Sequence, residues 1–109
     1  MTEVPYGVSL DIDFQLLPPS EGGRSTPVKS GYRPLCRFTA PDGQTTTVGM
    51  CQLELGAADH VMPGDRGAGS LVFVEDVAAL VRSLASAGTQ LDLAEGNRVV
   101  GHATVRGVA

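Results

Sequence analysis

The stretch VSLDIDFQL, residues 8–16, decides the fold class. Val8, Leu10, Ile12, Phe14 and Leu16 alternate with Ser9, Asp11, Asp13 and Gln15. Side chains on a strand point to opposite faces with a period of two, so this segment has one apolar face and one wet face. Pro18 and Pro19 end it, because proline donates nothing to a sheet ladder.

Working outward, the same period returns at Tyr32, Pro34, Cys36 and Phe38, set against Arg33, Arg37 and Thr39, with Leu35 breaking the pattern. Turn signals punctuate the chain at Glu21-Gly22-Gly23 and at Pro41-Asp42-Gly43. Residues 45–55 read as one strand or two, and 70–74 as a short one. Met62-Pro63-Gly64-Asp65 has the Pro and Gly positions of a type II turn. Leu91 and Leu93 alternate with Gln90 and Asp92. After a turn at Glu95-Gly96-Asn97, Val99, Gly101, Ala103 and Val105 alternate with Arg98, His102, Thr104 and Arg106, which predicts a closing hairpin.

One segment changes period. Val77, Leu80, Val81 and Leu84 fall at helical spacing, with Asp76 as the expected N-cap and Gly88 as the expected C′ residue. The sum is an all-β fold: a closed six-stranded antiparallel β-barrel with one short helix inserted near 76–87, packed on one end of the barrel. Closure removes exposed edges.

Composition narrows the function classes. The chain has 109 residues, 42% hydrophobic and 18% charged, with 14 Gly and 7 Pro. That is one domain with one core, residues 1–109, rich in turns. The net charge is −4 and Lys29 is the single lysine. Non-specific nucleic-acid binding needs many cations to neutralise phosphates, so it cannot run over this whole surface. No apolar stretch approaches the ~20 residues that span a membrane. Residues 1–7 show no basic region followed by an apolar one, so no signal peptide is expected there. Cys36 and Cys51, without a Cys/His cluster, predict two reduced, buried thiols in a cytoplasmic protein and no metal or other cofactor.

Three stretches carry a resemblance. They are Glu21-Gly22-Gly23-Arg24-Ser25-Thr26-Pro27, followed by Gly31-Tyr32-Arg33-Pro34; then Val61-Met62-Pro63-Gly64-Asp65; then Glu95-Gly96-Asn97-Arg98-Val99-Val100-Gly101. In this order, over residues 11–108, the chain resembles the third, C-terminal domain of elongation factor Tu standing alone. Ser25 stands where that family usually has His, and Asn97 where it has Gly. The stretch between Asp65 and Glu95 is several residues longer here and holds the expected helix. The family domain is a six-stranded antiparallel β-barrel. It is not catalytic, packs on the other domains of the factor, and contacts aminoacyl-tRNA and the exchange factor. The resemblance therefore implies a protein-binding module, with a translation-factor component as one class of partner.

Four candidate sites follow. Gly23 to Ser30 nearly spells a phosphate loop, but Val28 replaces the required Gly and Pro27 removes a donor, so no nucleotide is expected. His60 and His102 lie apart, with no nucleophile elbow or metal-binding helix nearby, so no enzyme is expected. Arg24, Ser25, Thr26, Lys29, Arg33, Asn97 and Arg98 form the candidate RNA or partner surface; an Arg fork pairs with phosphate or carboxylate. Structured RNA is thus the alternative partner. The stripe Val77, Leu80, Val81 and Leu84 is either core or an interface for a partner helix or a second copy of the chain.

Overall fold

The computed structural model describes residues 6–49 and 51–109. The expectation about a signal peptide in residues 1–7 falls mostly outside them. Among the described residues, seven strands form one antiparallel sheet: β1 (Tyr6–Leu16), β2 (Leu35–Thr39), β3 (Thr45–Val48), β4 (Cys51–Leu55), β5 (Arg66–Val74), β6 (Gln90–Glu95) and β7 (Arg98–Val108). Their spatial order is β3-β2-β6-β7-β1-β5-β4. Among the described residues there is one α-helix, α1 (Glu75–Leu84), which follows β5 directly.

β1 holds the centre. It pairs with β5 on one side and β7 on the other. Its five apolar residues are all buried, while Asp11, Asp13 and Gln15 are exposed, as the alternation requires. The sheet curls around this apolar face. Phe38 of β2 and Phe73 of β5 are four places apart in the strand order, yet their ring centroids are 6.3 Å apart. Cys36 of β2 and Cys51 of β4, from opposite flanks of the sheet, bring their Sγ atoms to 3.1 Å. One core results, with Leu10, Ile12, Leu53, Leu71, Phe73, Leu93 and Val100 fully buried.

The expected closed six-stranded barrel is corrected on two points. Residues 45–55 make two strands, which raises the number to seven. The curl stops short of a closed cylinder, and the result is a half-barrel. The reason lies in what covers β4. Its outer edge is taken by the chain ahead of β2: Gly31 N–H donates to Leu53 O at 2.8 Å, Leu53 N–H to Tyr32 O at 2.7 Å, and Leu55 N–H to Ser30 Oγ at 2.8 Å. A second bridge joins Val28 to Val61. With that strap in place, β4 has no edge left to offer β3.

Local departures have equally local causes. β5 starts four residues earlier than the pattern predicts, because Gly67 and Gly69 hide it. Gly67 is there for space: a Cβ on it would sit 2.7 Å from the Phe14 ring and 2.8 Å from Val61. In β7 it is Val100, rather than Val99, that is fully buried, since the β6–β7 register shifts between Leu93 and Ala94 and turns the strand over by one residue.

The helix runs Glu75–Leu84, with Val74 as an N-cap that makes no side-chain bond and Ala85 as C-cap. Asp76 therefore sits inside the first turn, where its charge still favours the helix dipole. Gly88, at φ +92°, belongs to the next turn, and its N–H donates to Val105 O at 2.8 Å. The helix packs on β1 and β5, with the Arg82 guanidinium donating to Gly7 O at 2.7 Å. Ala78, Val81 and Ala85 face the core; the small alanines let the helix lie close to the sheet. Among the described residues, no helix is long and apolar enough to cross a membrane.

Candidate functional site

The first glycine-rich turn is built from the backbone outward. Pro19–Glu21 form a 3-10 turn, and Gly22 caps it at φ +89°. Gly23 N–H donates to Pro18 O at 3.0 Å, and a Cβ at Gly23 would collide with the Leu17 carbonyl. This packing throws Arg24 toward the β6–β7 hairpin, whose tip is Gly96-Asn97.

There Arg24 pairs with Glu95, the last residue of β6. Its other guanidinium nitrogens donate to Thr26, at 3.3 Å to the carbonyl and 3.0 Å to Oγ1. Its Cζ lies 4.8 Å from the centre of the Tyr32 ring, in cation–π range. Tyr32 donates its hydroxyl to Glu95 Oε2 at 2.6 Å. Arg98 reaches Glu95 Oε1 at 3.3 Å from the far side of the hairpin. Arg24, Tyr32 and Arg98 thus converge on one carboxylate.

The electrostatics follow from that convergence. Burial pushes the Glu95 carboxyl up, but hydrogen bonds from Tyr32 and Arg24 outweigh it, and the net shift is downward from the usual range. Burial and the bond to Glu95 push the Tyr32 hydroxyl up. Burial works against the Arg24 charge, but its bond and attraction to Glu95 prevail and raise its pKa. These directions keep Arg24 charged, Tyr32 neutral and Glu95 ionised near neutral pH. The cluster clamps the first turn to the β6–β7 hairpin.

The predicted site residues divide. Arg24 and Arg98 meet at Glu95 and Thr26 holds Arg24 from the other side, while Ser25 and Asn97 lie exposed on the adjoining turns. Lys29 is exposed on the strap over β4. Arg33 turns to β4 and donates to Gln52 Oε1 at 3.4 Å. The helix stripe goes mainly inward: Val81 is fully buried, Val77 and Leu84 are half-buried against the core, and Leu80 is 44% exposed. Sequence reading missed Glu95 and Tyr32 as members of the cluster. The signal was present, in a carboxylate three residues before Arg98 across a two-residue turn.

His102 Nδ1 meets Asp92 Oδ1 at 2.8 Å because the two are cross-strand partners on the outer face of the sheet. His60 lies 3.6 Å from Asp59, exposed. Among the described residues, no three His, Cys, Asp or Glu side chains gather as a metal site would require.

The two sheet edges differ in a way that matters for binding. The β4 edge is strapped. The β3 edge has no ladder partner beyond β2 among the described residues. The hairpin at its start fixes which groups it presents. Ala40 N–H donates to Gln44 O at 2.8 Å and Gly43 N–H to Ala40 O at 2.9 Å, a three-residue loop with Gly43 at φ +87°. Antiparallel partners alternate between bonded and non-bonded pairs. Counting from the bonded Ala40/Gln44 pair, Thr46 and Val48 bond to β2, opposite Phe38 and Cys36. The N–H and C=O groups of Thr45 and Thr47 therefore point to the open edge. The strand reads TTTV, without charge or proline. No family model matches the chain.

Proposed function

We propose that the chain is a non-catalytic protein-binding module, built like the C-terminal domain of elongation factor Tu, that takes an extended segment of a partner protein along the β3 edge. The observation that carries this is the contrast between the two edges. Uncovered strands invite pairing, and folds usually blunt them with charge, proline or a covering segment. Here β4 is covered by the strap, while β3 offers the outward groups of Thr45 and Thr47 with nothing to deter an added strand. Strand addition draws affinity from main-chain hydrogen bonds and specificity from alternate side chains. The net charge of −4 sets copies of the chain against one another, which favours a different protein over a second copy. The order of the three glycine-bearing motifs supports the likeness to the elongation-factor domain and makes a translation-factor component one partner class to look for.

The RNA reading is the weaker one. Arg24 is spent on Glu95, Thr26 and Tyr32, and Arg98 shares the same carboxylate. Capture from a native lysate, with and without RNase, separates the two. Wild type, Thr47→Pro and the pair Arg24→Ala/Arg98→Ala are compared. Proline at 47 removes an outward donor without breaking a bond to β2. Thr47→Lys serves as a second variant that keeps the N–H but adds charge to the edge. The proposal expects a protein retained by wild type and the arginine variant, insensitive to RNase, and lost from both Thr47 variants. Retention by the Thr47 variants, loss on RNase treatment, or a wild-type homodimer abolished by Thr47→Pro would overturn it.

A further inference from the structure

The buried cysteine pair lies where the curled sheet nearly meets itself. Cys36 is on β2, next to the edge strand β3, and Cys51 opens β4, the edge strand at the other end of the sheet, so the pair spans the gap that the ladder leaves unjoined. Their Sγ atoms are 3.1 Å apart, only about 1 Å longer than a covalent S–S bond of about 2.05 Å. Both residues are held from several sides. Cys36 stands opposite Val48 on β3 and Leu93 on β6, and Cys51 opposite Phe73 on β5, while Cys51 Sγ also donates to Pro34 O at 3.1 Å. Such packing leaves the thiols little freedom to turn away from each other.

We propose that Cys36 and Cys51 form an intramolecular disulfide in an oxidising thiol–disulfide buffer, stapling β2 to β4 across the seam. The oxidant is a low-molecular-weight disulfide. The Cys51 thiolate attacks one of its sulfurs and forms a mixed disulfide, releasing one small thiol. The Cys36 thiolate then attacks Cys51 Sγ and releases the second. Two protein thiols become one disulfide, the small disulfide becomes two thiols, and two electrons pass outward. Cys51 leads because it retains slight exposure at 4%, whereas Cys36 has none. The hydrogen bond to Cys51 and burial also hold the Cys36 thiol well above the usual range, which suits it to second place. With the thiols buried, exchange waits on local opening of the seam, so oxidation of the native chain is slow and oxidation during refolding is fast.

The test equilibrates the chain in buffers of varied reduced-to-oxidised glutathione ratio, once as native protein and once refolded from denaturant. Samples are unfolded in the presence of an excess of alkylating agent and weighed intact. The proposal expects a species lacking both alkyl groups, lighter by two hydrogens than the reduced chain, to replace the doubly alkylated one as the buffer becomes oxidising. Cys36 and Cys51 are 15 residues apart, so the staple should raise Tm by about 10 °C. Cys36→Ser and Cys51→Ser should show neither change. Two alkylated thiols at every ratio after refolding, a stable glutathione adduct, or a disulfide between two chains would overturn the proposal, and the mass readout on the wild type does not depend on the variants folding.

Discussion

Replacing Glu95 by Gln keeps the side-chain shape and removes the charge on which Arg24, Tyr32 and Arg98 converge. Their contributions differ. The Arg98 side chain is 56% exposed, so its pairing is worth a few tenths of a kcal/mol at most. The Arg24 side chain is 21% exposed and loses a charged partner it cannot fully exchange for water. The half-buried Tyr32 hydroxyl keeps only a neutral acceptor. Hydrogen bonds to charged groups contribute about 1.5–3 kcal/mol, and solvent access trims that here, so the loss at neutral pH should be about 2 kcal/mol. The sign with pH follows from the downward shift of Glu95. A carboxyl with a depressed folded pKa supplies stability that is complete above its unfolded value, near 4.5, and disappears as pH falls through the folded value. The deficit of Glu95→Gln should therefore shrink toward zero in acid. Urea unfolding followed by circular dichroism, at neutral pH and below pH 4, measures both quantities. A deficit under about 0.5 kcal/mol at neutral pH, or one that persists unchanged in acid, would refute the clamp.

Three further outcomes follow from the packing. Val81→Ala should cost about 2 kcal/mol, because Val81 is fully buried, whereas Leu80→Ala should stay within about 0.5 kcal/mol; thermal unfolding of the two tells whether the helix stripe is core. Gly67→Ala should destabilise by about 1–3 kcal/mol, since its Cβ would press on the Phe14 ring and Val61, and chemical denaturation measures it. In a Tyr6→Phe background, ultraviolet titration should find Tyr32 ionising above the usual tyrosine value, as burial and then the bond to Glu95 dictate, and closer to it once Glu95→Gln is added.

Much of this fold was legible because strand burial follows a period of two. The alternation of residues 8–16 placed β1 with its faces the right way round, and the Gly and Pro positions at 43, 64 and 96 marked turns whose glycines have positive φ. What the pattern could not show was set by long-range packing. Gly67 and Gly69 look like turn residues until Phe14 and the Glu54 carbonyl are seen to demand the space. The helix stripe was weighted toward the large Leu80, while the core chose the smaller Ala78 because the sheet lies so close. Closure of the barrel was expected from apolar strand faces and from the edges that closure would remove; the strap of residues 30–32 over β4 depends on hydrogen bonds that leave no mark on composition. The arginine site was half visible. Arg24 and Arg98 were each placed beside a glycine turn on one candidate surface, but the carboxylate that joins and neutralises them sat unremarked in the turn motif itself.

The central claim, that an open β3 edge receives a partner strand, is tested most directly by residue-resolved amide hydrogen exchange of the chain alone and with its captured partner. The account predicts that Thr45 and Thr47 exchange quickly in the free chain while Thr46 and Val48, bonded to β2, exchange slowly, and that the partner slows Thr45 and Thr47 selectively. Unchanged exchange at Thr45 and Thr47 on binding, with new protection at Asn97 and Arg98 instead, would contradict it.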